Sequence, residues 1–430
     1  MVRRANQQEG SQMGVIQGRI SSKIRTVSGF LVGLLGLVPV LCMSRSAAAQ
    51  AFTELYAFNT SGNLSDGGSP EAGVTRDAAG NLYGTTFFGG VGTGCDIYFA
   101  GCGTVFKVDT SGTETVLHSF GGAHDGWNPT ARLILDESGN LYGTTGYGGA
   151  HGYGTVFKVD KAGNETIIHS FAGGTEGDRP NAGLVEDAAG NLYGTTQYGG
   201  RGCDGRGCGT VFRISPDGRE TVLYRFADLP DGASPMGGVA LGASGNIYGT
   251  TWLGGAYSFG TIFKIDICGR EKVLHSFAGG SDGANPLDAP VLDKAGNMYG
   301  TTASGGASGT TPLGLGTLFK VDTAGHESIV YTFTGGSDGA NPYAHLLADA
   351  AGNLYGTATS GGVTGNGTVF EFSDGGLTPL YGFSSPNSNG ENADGQYPMG
   401  GLITDSAGNL YGTTVQAGTN GWGSVFELQP

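Results

Sequence analysis

Seven times along this chain the phrase Gly-Asn-(Leu/Ile/Met)-Tyr-Gly-Thr-(Thr/Ala) returns, with its asparagine at Asn81, Asn140, Asn191, Asn246, Asn297, Asn353 and Asn409. Successive copies lie 59, 51, 55, 51, 56 and 56 residues apart. A period of that size, in a sequence without helical patterning, denotes one supersecondary unit stacked many times. The number of units then dictates the architecture.

Each unit carries three further landmarks in fixed order. A proline (Pro70, Pro129, Pro180, Pro235, Pro286, Pro342, Pro398) precedes a short apolar run such as Ala182-Gly183-Leu184-Val185. After the asparagine phrase comes a run opening Gly-(Thr/Ser)-aliphatic-Phe, at Gly103, Gly154, Gly209, Gly260, Gly316, Gly367 and Gly423. The last run ends in Phe, as in Thr115-Val116-Leu117-His118-Ser119-Phe120. Four runs of five to seven residues, rich in β-branched and aromatic types and split by Gly, Asp and Asn, predict four short strands, A to D. Four-stranded units repeated radially make β-propeller blades.

The two ends bear on ring closure. A D-type run, Thr53 to Phe58, precedes the first full unit, and the last unit reaches Pro430 after only its A, B and C runs. Pairing the orphan strand with the incomplete unit removes open edges that invite aggregation. The expectation is an all-β, seven-bladed β-propeller of four-stranded blades, its ring closed by the N-terminal outer strand. The blades fall at about 70–120, 129–171, 180–226, 235–277, 286–333, 342–383 and 398–430 plus 53–58, within one domain at 52–430.

Composition alone is ambiguous, because 85 Gly and 15 Pro approach the level of a low-complexity chain. The period removes the ambiguity: the glycines recur at fixed offsets beside Leu, Val, Phe and Tyr. Residues 1–51 read as an export signal. Arg3, Arg4, Arg19, Lys23 and Arg25 precede an apolar stretch from Phe30 to Cys42, followed by Ala47-Ala48-Ala49-Gln50-Ala51. Cleavage after Ala49 or Ala51 fits equally well. The apolar stretch is short for a membrane span, and Leu41 before Cys42 disfavours a lipid anchor. The destination is therefore extracellular or periplasmic, with no membrane span in the mature chain.

Without residues 1–50 the chain keeps 16 basic and 36 acidic residues, a net charge of −20. Such a surface repels phosphate backbones, which disfavours nucleic acid as a partner. Five cysteines remain. Cys95 and Cys102 lie in the B–C connection of the first full blade, Cys203 and Cys208 in that of the third. Two local disulfides are expected, each stapling a lengthened loop. Zinc held by all four is the rival reading, weakened because the pairs sit two blades apart.

Loop length separates the two faces of the ring. The A–B and C–D turns are nearly constant, whereas the B–C connections hold 16, 8, 12, 8, 13, 8 and 8 residues in chain order. The D–A connections vary too, and in a four-strand meander they emerge on the B–C face. Variable loops on a fixed scaffold are where function usually resides. All three tryptophans lie there: Trp127 in a D–A loop, Trp252 and Trp422 in B–C loops. Tyr147, Tyr198, Phe87, Phe88, Tyr257 and Tyr397 join them. Such side chains suit protein contacts and the apolar faces of sugars, or serve as lids over glycine-rich loops.

Every D–A loop also carries an acidic residue before Gly: Asp66, Asp125, Glu176, Asp231, Asp282, Asp338 and Asp394. A turn-forming role explains this better than a cation-binding crown. His118, His169 and His275 occupy a repeated outer-strand slot where Tyr224, Tyr331 and Tyr381 also occur. The irregular polar constellation is His124, Asp125 and Trp127, which His151 can join. No serine-hydrolase elbow or phosphate loop is present, and no cofactor is predicted.

The unit Gly-Asn-Leu-Tyr-Gly-Thr-Thr…Gly-Gly…Gly-Thr-Val-Phe-Lys-Val-Asp…Glu-Thr…Leu-His-Ser-Phe closely resembles the GloVer tandem repeat of exported bacterial proteins, over essentially all of residues 53–430. The resemblance implies a secreted or surface propeller and offers no catalytic residues to carry over. Relatives often bear C-terminal anchoring signals, and none is expected here, since the chain stops at Pro430 directly after the last strand. More distantly the units look like NHL-type blades, which serve binding proteins and some lyases and hydrolases. Three functions follow as expectations. The first is a binding scaffold for carbohydrate or a cell-surface protein, through Trp127, Trp252, Trp422, Tyr147, Tyr198, His124, Asp125 and His151. The second is a hydrolase or lyase at the channel mouth, using His124, Asp125 and His151. The third is a structural envelope protein.

Overall fold

The computed structural model describes residues 50–59, 63–92, 95, 101–121, 124–227, 229–306 and 314–430. Almost all of the expected export signal at 1–51 lies outside them. Seven four-stranded antiparallel sheets follow one another in chain order. In the first, Thr75–Arg76, Leu82–Thr86, Thr104–Val108 and Glu114–Ser119 lie side by side as strands A to D. The last combines Ile403–Thr404, Leu410–Thr414 and Ser424–Gln429 with Ala51–Ala57 as its outer strand. That closing pair runs from Ala51 opposite Gln429 to Ala57 opposite Ser424. Among the described residues no helix is long and apolar enough to cross a membrane.

The residues of the repeated phrase divide the labour. In the first blade Asp77 Oδ1 accepts the Asn81 N–H at 2.8 Å, and Oδ2 accepts Asn81 Nδ2 at 2.7 Å and the Tyr83 hydroxyl at 3.0 Å. Those bonds clamp the A–B turn. Leu82 enters the core. Gly84 lies opposite Phe106, where a Cβ would stand 2.6 Å from the ring. This glycine supplies space for the buried ring. The two threonines face opposite ways, as successive strand residues must. Thr86 pairs with Thr104 through their hydroxyls at 2.8 Å, while Thr85 bonds Ala131 O of the next blade at 3.4 Å. The cross-blade bond recurs at every interface, including Thr413 to Ala72 O at 2.9 Å, which joins the last blade to the first.

Phenylalanine fills those interfaces. The Phe closing each D run meets the C-strand Phe of the next blade, with ring centroids 5.0 Å apart in Phe58–Phe106 and 5.6 Å in Phe383–Phe426. Phe58 belongs to the N-terminal strand, yet its packing matches that of Phe226 on Phe263, also at 5.0 Å. Burying such a ring stabilises the fold by roughly 2–3 kcal/mol.

The inner strands are shorter than their sequence runs suggest. Only two residues of A pair with B in six blades, and three, Val239–Leu241, in the fourth. The residues just before them pack against neighbouring blades around the axis. A Cβ on Gly73 would stand 2.1 Å from Gly401 O, and one on Gly400 2.4 Å from Gly73 N. Glycine at these positions lets the inner backbones of neighbouring blades touch.

Candidate functional site

The variable loops are tied together blade by blade. A residue of the D–A connection bridges one of the B–C connection in Gly68–Phe88, Trp127–Tyr147, Asp178–Tyr198, Ala284–Ser304, Ala340–Ser360 and Gln396–Gln416. In the fourth blade Gly232–Ala233 pairs with Leu253–Gly254 in the same way. The residue before each proline takes a positive φ, from 52° at Ser234 to 59° at Asn285. Where that residue is asparagine, Nδ2 donates to a carbonyl in the preceding blade's B–C loop: Asn128 to Phe87 O, Asn285 to Trp252 O and Asn341 to Ala303 O. Arg179, at φ 58°, is an uncommon occupant of such backbone. The conformation is common to all seven pre-proline positions and so belongs to the repeat; at Arg179 it costs of order 1 kcal/mol and fixes where the long side chain starts.

Arg179 is the centre of a ladder across blades two and three. Trp127 stacks on Tyr147 with centroids 4.4 Å apart and planes at 19°. The Arg179 guanidinium lies 4.5 Å from the Tyr147 ring centre and 5.3 Å from that of Tyr198. Arg206 covers Tyr198 at 5.7 Å. Each cation–π contact is worth about 0.5–1 kcal/mol at such partly exposed positions. Arg206 stands inside the loop closed by the Cys203–Cys208 disulfide. Both predicted bridges, that one and Cys95–Cys102, are present, and Cys268 is free and exposed. Asp178 shares the site: burial pushes its carboxyl up, and Arg179 and Arg206 oppose the shift. Trp127, Tyr147, Arg179 and Tyr198 are half-buried, whereas Arg206 is exposed.

The remaining candidates are spread around the ring. Trp422 is 37% exposed and lies edge-on to Phe88, with centroids 6.4 Å apart. Trp252 is half-buried, and its carbonyl receives Asn285. His124 and His151 are exposed. Asp125 is engaged by His118 Nε2 at 3.3 Å and by the Gly121 N–H at 2.6 Å. Burial depresses the His169 imidazole against the opposing Glu176 carboxylate, with a smaller lowering from the charge of His151. The acidic residues before Gly fasten the turn after strand D. Asp282 accepts the Ala278 N–H at 2.6 Å, Asp338 that of Thr334 at 2.7 Å and Asp231 that of Ala227 at 2.9 Å.

At the axis all seven blades border a cavity of about 320 Å³. Most of its lining is Gly, Ala and apolar side chains, but Glu71, Arg132, Asp288 and His345 break that pattern. His345 Nδ1 lies 3.9 Å from Asp288 Oδ1 and 3.1 Å from Ala289 O. Both side chains keep 34% exposure because they line the cavity, although protein surrounds them. Burial pushes the Asp288 carboxyl up, against the charges of His345 and Arg132. Burial lowers Arg132, with Asp288 opposing it. Burial pushes Glu71 up to about 7. A carboxyl shifted this way, in the same cavity as an imidazole–carboxylate pair, has the makings of acid–base chemistry. The signal for these residues was present in sequence: Arg132 and His345 stand three residues after the proline, where other units have Gly or Ala.

Residues 43–226 and 280–430 match the family described as the Gloeobacter/Verrucomicrobia repeat. No curated protein sequence matches the chain. Among solved structures, the extracellular domain described as that of a hybrid two-component system from B. thetaiotaomicron aligns with TM-score 0.54 and 11% identity over 87% of this chain and 39% of that one. A second structure of that extracellular domain gives TM-score 0.50, 11% identity and coverages of 83% and 38%. This chain thus spans well under half the length of those structures, and the likeness is one of fold. A protein from Bacteroides uniformis described as a 6-phosphogluconolactonase aligns at TM-score 0.48 and 15% identity, over 79% of this chain and 88% of that one.

Proposed function

The chain belongs to the Gloeobacter/Verrucomicrobia repeat family, and we propose that this member is an exported binding scaffold whose partner docks on the B–C/D–A face. The partner is a carbohydrate or a glycan-bearing cell-surface protein. The observation that carries this reading is the ladder Trp127–Tyr147–Arg179–Tyr198–Arg206, held by a strained backbone and a disulfide. Aromatic edges and guanidinium donors in one fixed row suit a ligand with flat apolar faces and acidic or hydroxyl groups. Fixing the row in advance removes part of the ordering cost of binding. Export accords with the two disulfides. Glycan-array screening followed by titration calorimetry tests the reading, with uronic-acid glycans addressing the guanidiniums. Arg179→Ala and Tyr147→Ala should weaken a hit by about 30-fold, the scale of an interface hot spot. Unchanged binding in folded variants would defeat it.

A second reading, an enzyme at the axis, draws on Glu71, Arg132, Asp288 and His345, four ionisable groups in a cavity otherwise lined mostly by small and apolar residues. His345→Ala and Asp288→Asn should then abolish any turnover found by substrate screening, while leaving glycan binding at the ladder intact.

A further inference from the structure

We propose that three of the seven blade interfaces are binding sites for a divalent first-row cation of the zinc class, each cross-linking the outer strands of adjacent blades. At every interface the outer-strand slot faces the acidic residue of the following D–A loop. In four of them the slot is a tyrosine whose hydroxyl donates to that carboxylate: Tyr56 to Asp66 at 2.7 Å, Tyr224 to Asp231 at 2.9 Å, Tyr331 to Asp338 at 3.0 Å and Tyr381 to Asp394 at 2.9 Å. A tyrosine therefore suffices for the fold. At the other three interfaces an imidazole takes its place, and a glutamate from the next blade's outer strand completes a triad. The triads are His118–Asp125–Glu165, His169–Glu176–Glu220 and His275–Asp282–Glu327, with one potential ligand atom from each residue lying within 4.8 Å of the other two.

In the third triad His275 Nε2 lies 3.1 Å from Asp282 Oδ2 and 4.0 Å from Glu327 Oε2. Ligands about 2 Å from a shared tetrahedral cation sit 3–4 Å apart, so small side-chain shifts complete such a site. The Glu327 side chain is only 9% exposed, and its Oε1 is buried without a hydrogen-bond partner. Oε1 of Glu165 and of Glu220 is in the same state, as is that of Glu114 and Glu271 at two tyrosine interfaces, so it is the added imidazole that sets the three triads apart. His169 Nε2 lies 3.3 Å from Glu176 Oε1, the same histidine–carboxylate approach as in the third triad. A buried carboxylate oxygen without a partner is costly, and a cation satisfies it.

The pattern of substitution agrees. The glutamate accompanies histidine at all three sites, whereas two tyrosine interfaces carry Leu377 and Phe52 in its place. Glu114 and Glu271 remain beside Tyr56 and Tyr224, but those interfaces lack an imidazole. One nitrogen and two carboxylate oxygens fit zinc or a similar borderline cation better than calcium or magnesium. Water completes the coordination.

The test is metal content after equilibration with zinc chloride and dialysis, on protein carrying no histidine tag. The expected stoichiometry is three, falling to two in His275→Tyr and to none in the triple variant His118→Tyr, His169→Tyr, His275→Tyr. Tyrosine is the residue the fold already uses in that slot, so the triple variant should match the wild type in circular dichroism and in Tm measured with EDTA. Zinc should raise the Tm of the wild type alone. Glu327→Gln, nearly isosteric, gives an independent check and should also lose one equivalent. Fewer than one equivalent in the wild type, or equal binding by the triple tyrosine variant, overturns the proposal.

Discussion

Replacing Phe58 by Ala asks whether the N-terminal strand is an integral part of the ring. The Phe58 side chain is fully buried, lies 5.0 Å from Phe106 and 5.2 Å from Tyr56, and bridges the last blade to the first. Phe226 offers an internal standard, with the same burial, the same 5.0 Å contact to Phe263 and a 5.2 Å contact to Tyr224. Truncating a buried Phe to Ala costs about 3–5 kcal/mol, combining lost transfer energy with the cavity left behind. If closure is as tight as any internal interface, Phe58→Ala and Phe226→Ala should cost the same within about 1 kcal/mol. A loosely attached strand would peel away instead, capping the loss at the free energy of detaching Ala51–Ala57. Urea unfolding followed by tryptophan fluorescence measures both. A loss under about 1 kcal/mol for Phe58→Ala, beside the full loss for Phe226→Ala, would show that the N-terminal strand is not an integral part of the ring.

Three further outcomes follow from the same packing. Burial holds the carboxyls of Glu71, Glu114, Glu165, Glu271 and Glu327 at about 7 and that of Glu220 at about 8, against an ordinary value of 4.5. The folded chain keeps protons that the unfolded chain releases, so these groups stabilise most below pH 4.5 and that contribution is lost as pH rises through 7 to 8. Each adds a slope of at most about 1.4 kcal/mol per pH unit, reduced by solvent screening. With EDTA present, Tm should be lower at pH 8 than at pH 5, and Glu220→Gln should flatten the difference; a flat wild-type profile would contradict this. Gly84→Ala places a Cβ 2.6 Å from the Phe106 ring and should cost about 1–3 kcal/mol by denaturant unfolding. The two disulfides close short loops and should contribute about 2 kcal/mol each at most by chain entropy; unfolding with and without reductant measures that.

The architecture was legible because the information recurs. Seven copies of the Asn phrase, seven prolines and seven Gly-(Thr/Ser)-aliphatic-Phe runs leave little freedom in strand order, and the matched cysteine pairs declared their own loops. What repetition concealed was whatever joins one blade to the next. His275, Asp282 and Glu327 look like three unrelated repeat positions until the outer strands lie side by side. Arg179 reads as an ordinary loop residue, because nothing local announces a positive φ before Pro180 or two tyrosines around it. Tryptophan drew attention to the loop face, yet only Trp127 joins the ladder, since Trp252 belongs to the fourth blade and Trp422 to the seventh. The shortness of the inner strands follows from crowding at the axis, which a single unit cannot express.

Hydrogen exchange on the protein bound to its best glycan-array hit locates the partner on one face of the ring or the other. New protection is expected in peptides covering 124–130, 146–153, 175–181 and 197–208, the loops that carry the ladder, and Arg179→Ala should erase it. Protection concentrated instead on the A–B turns such as Asp77–Asn81, or on the C–D turns, would put the partner on the opposite face and contradict the account.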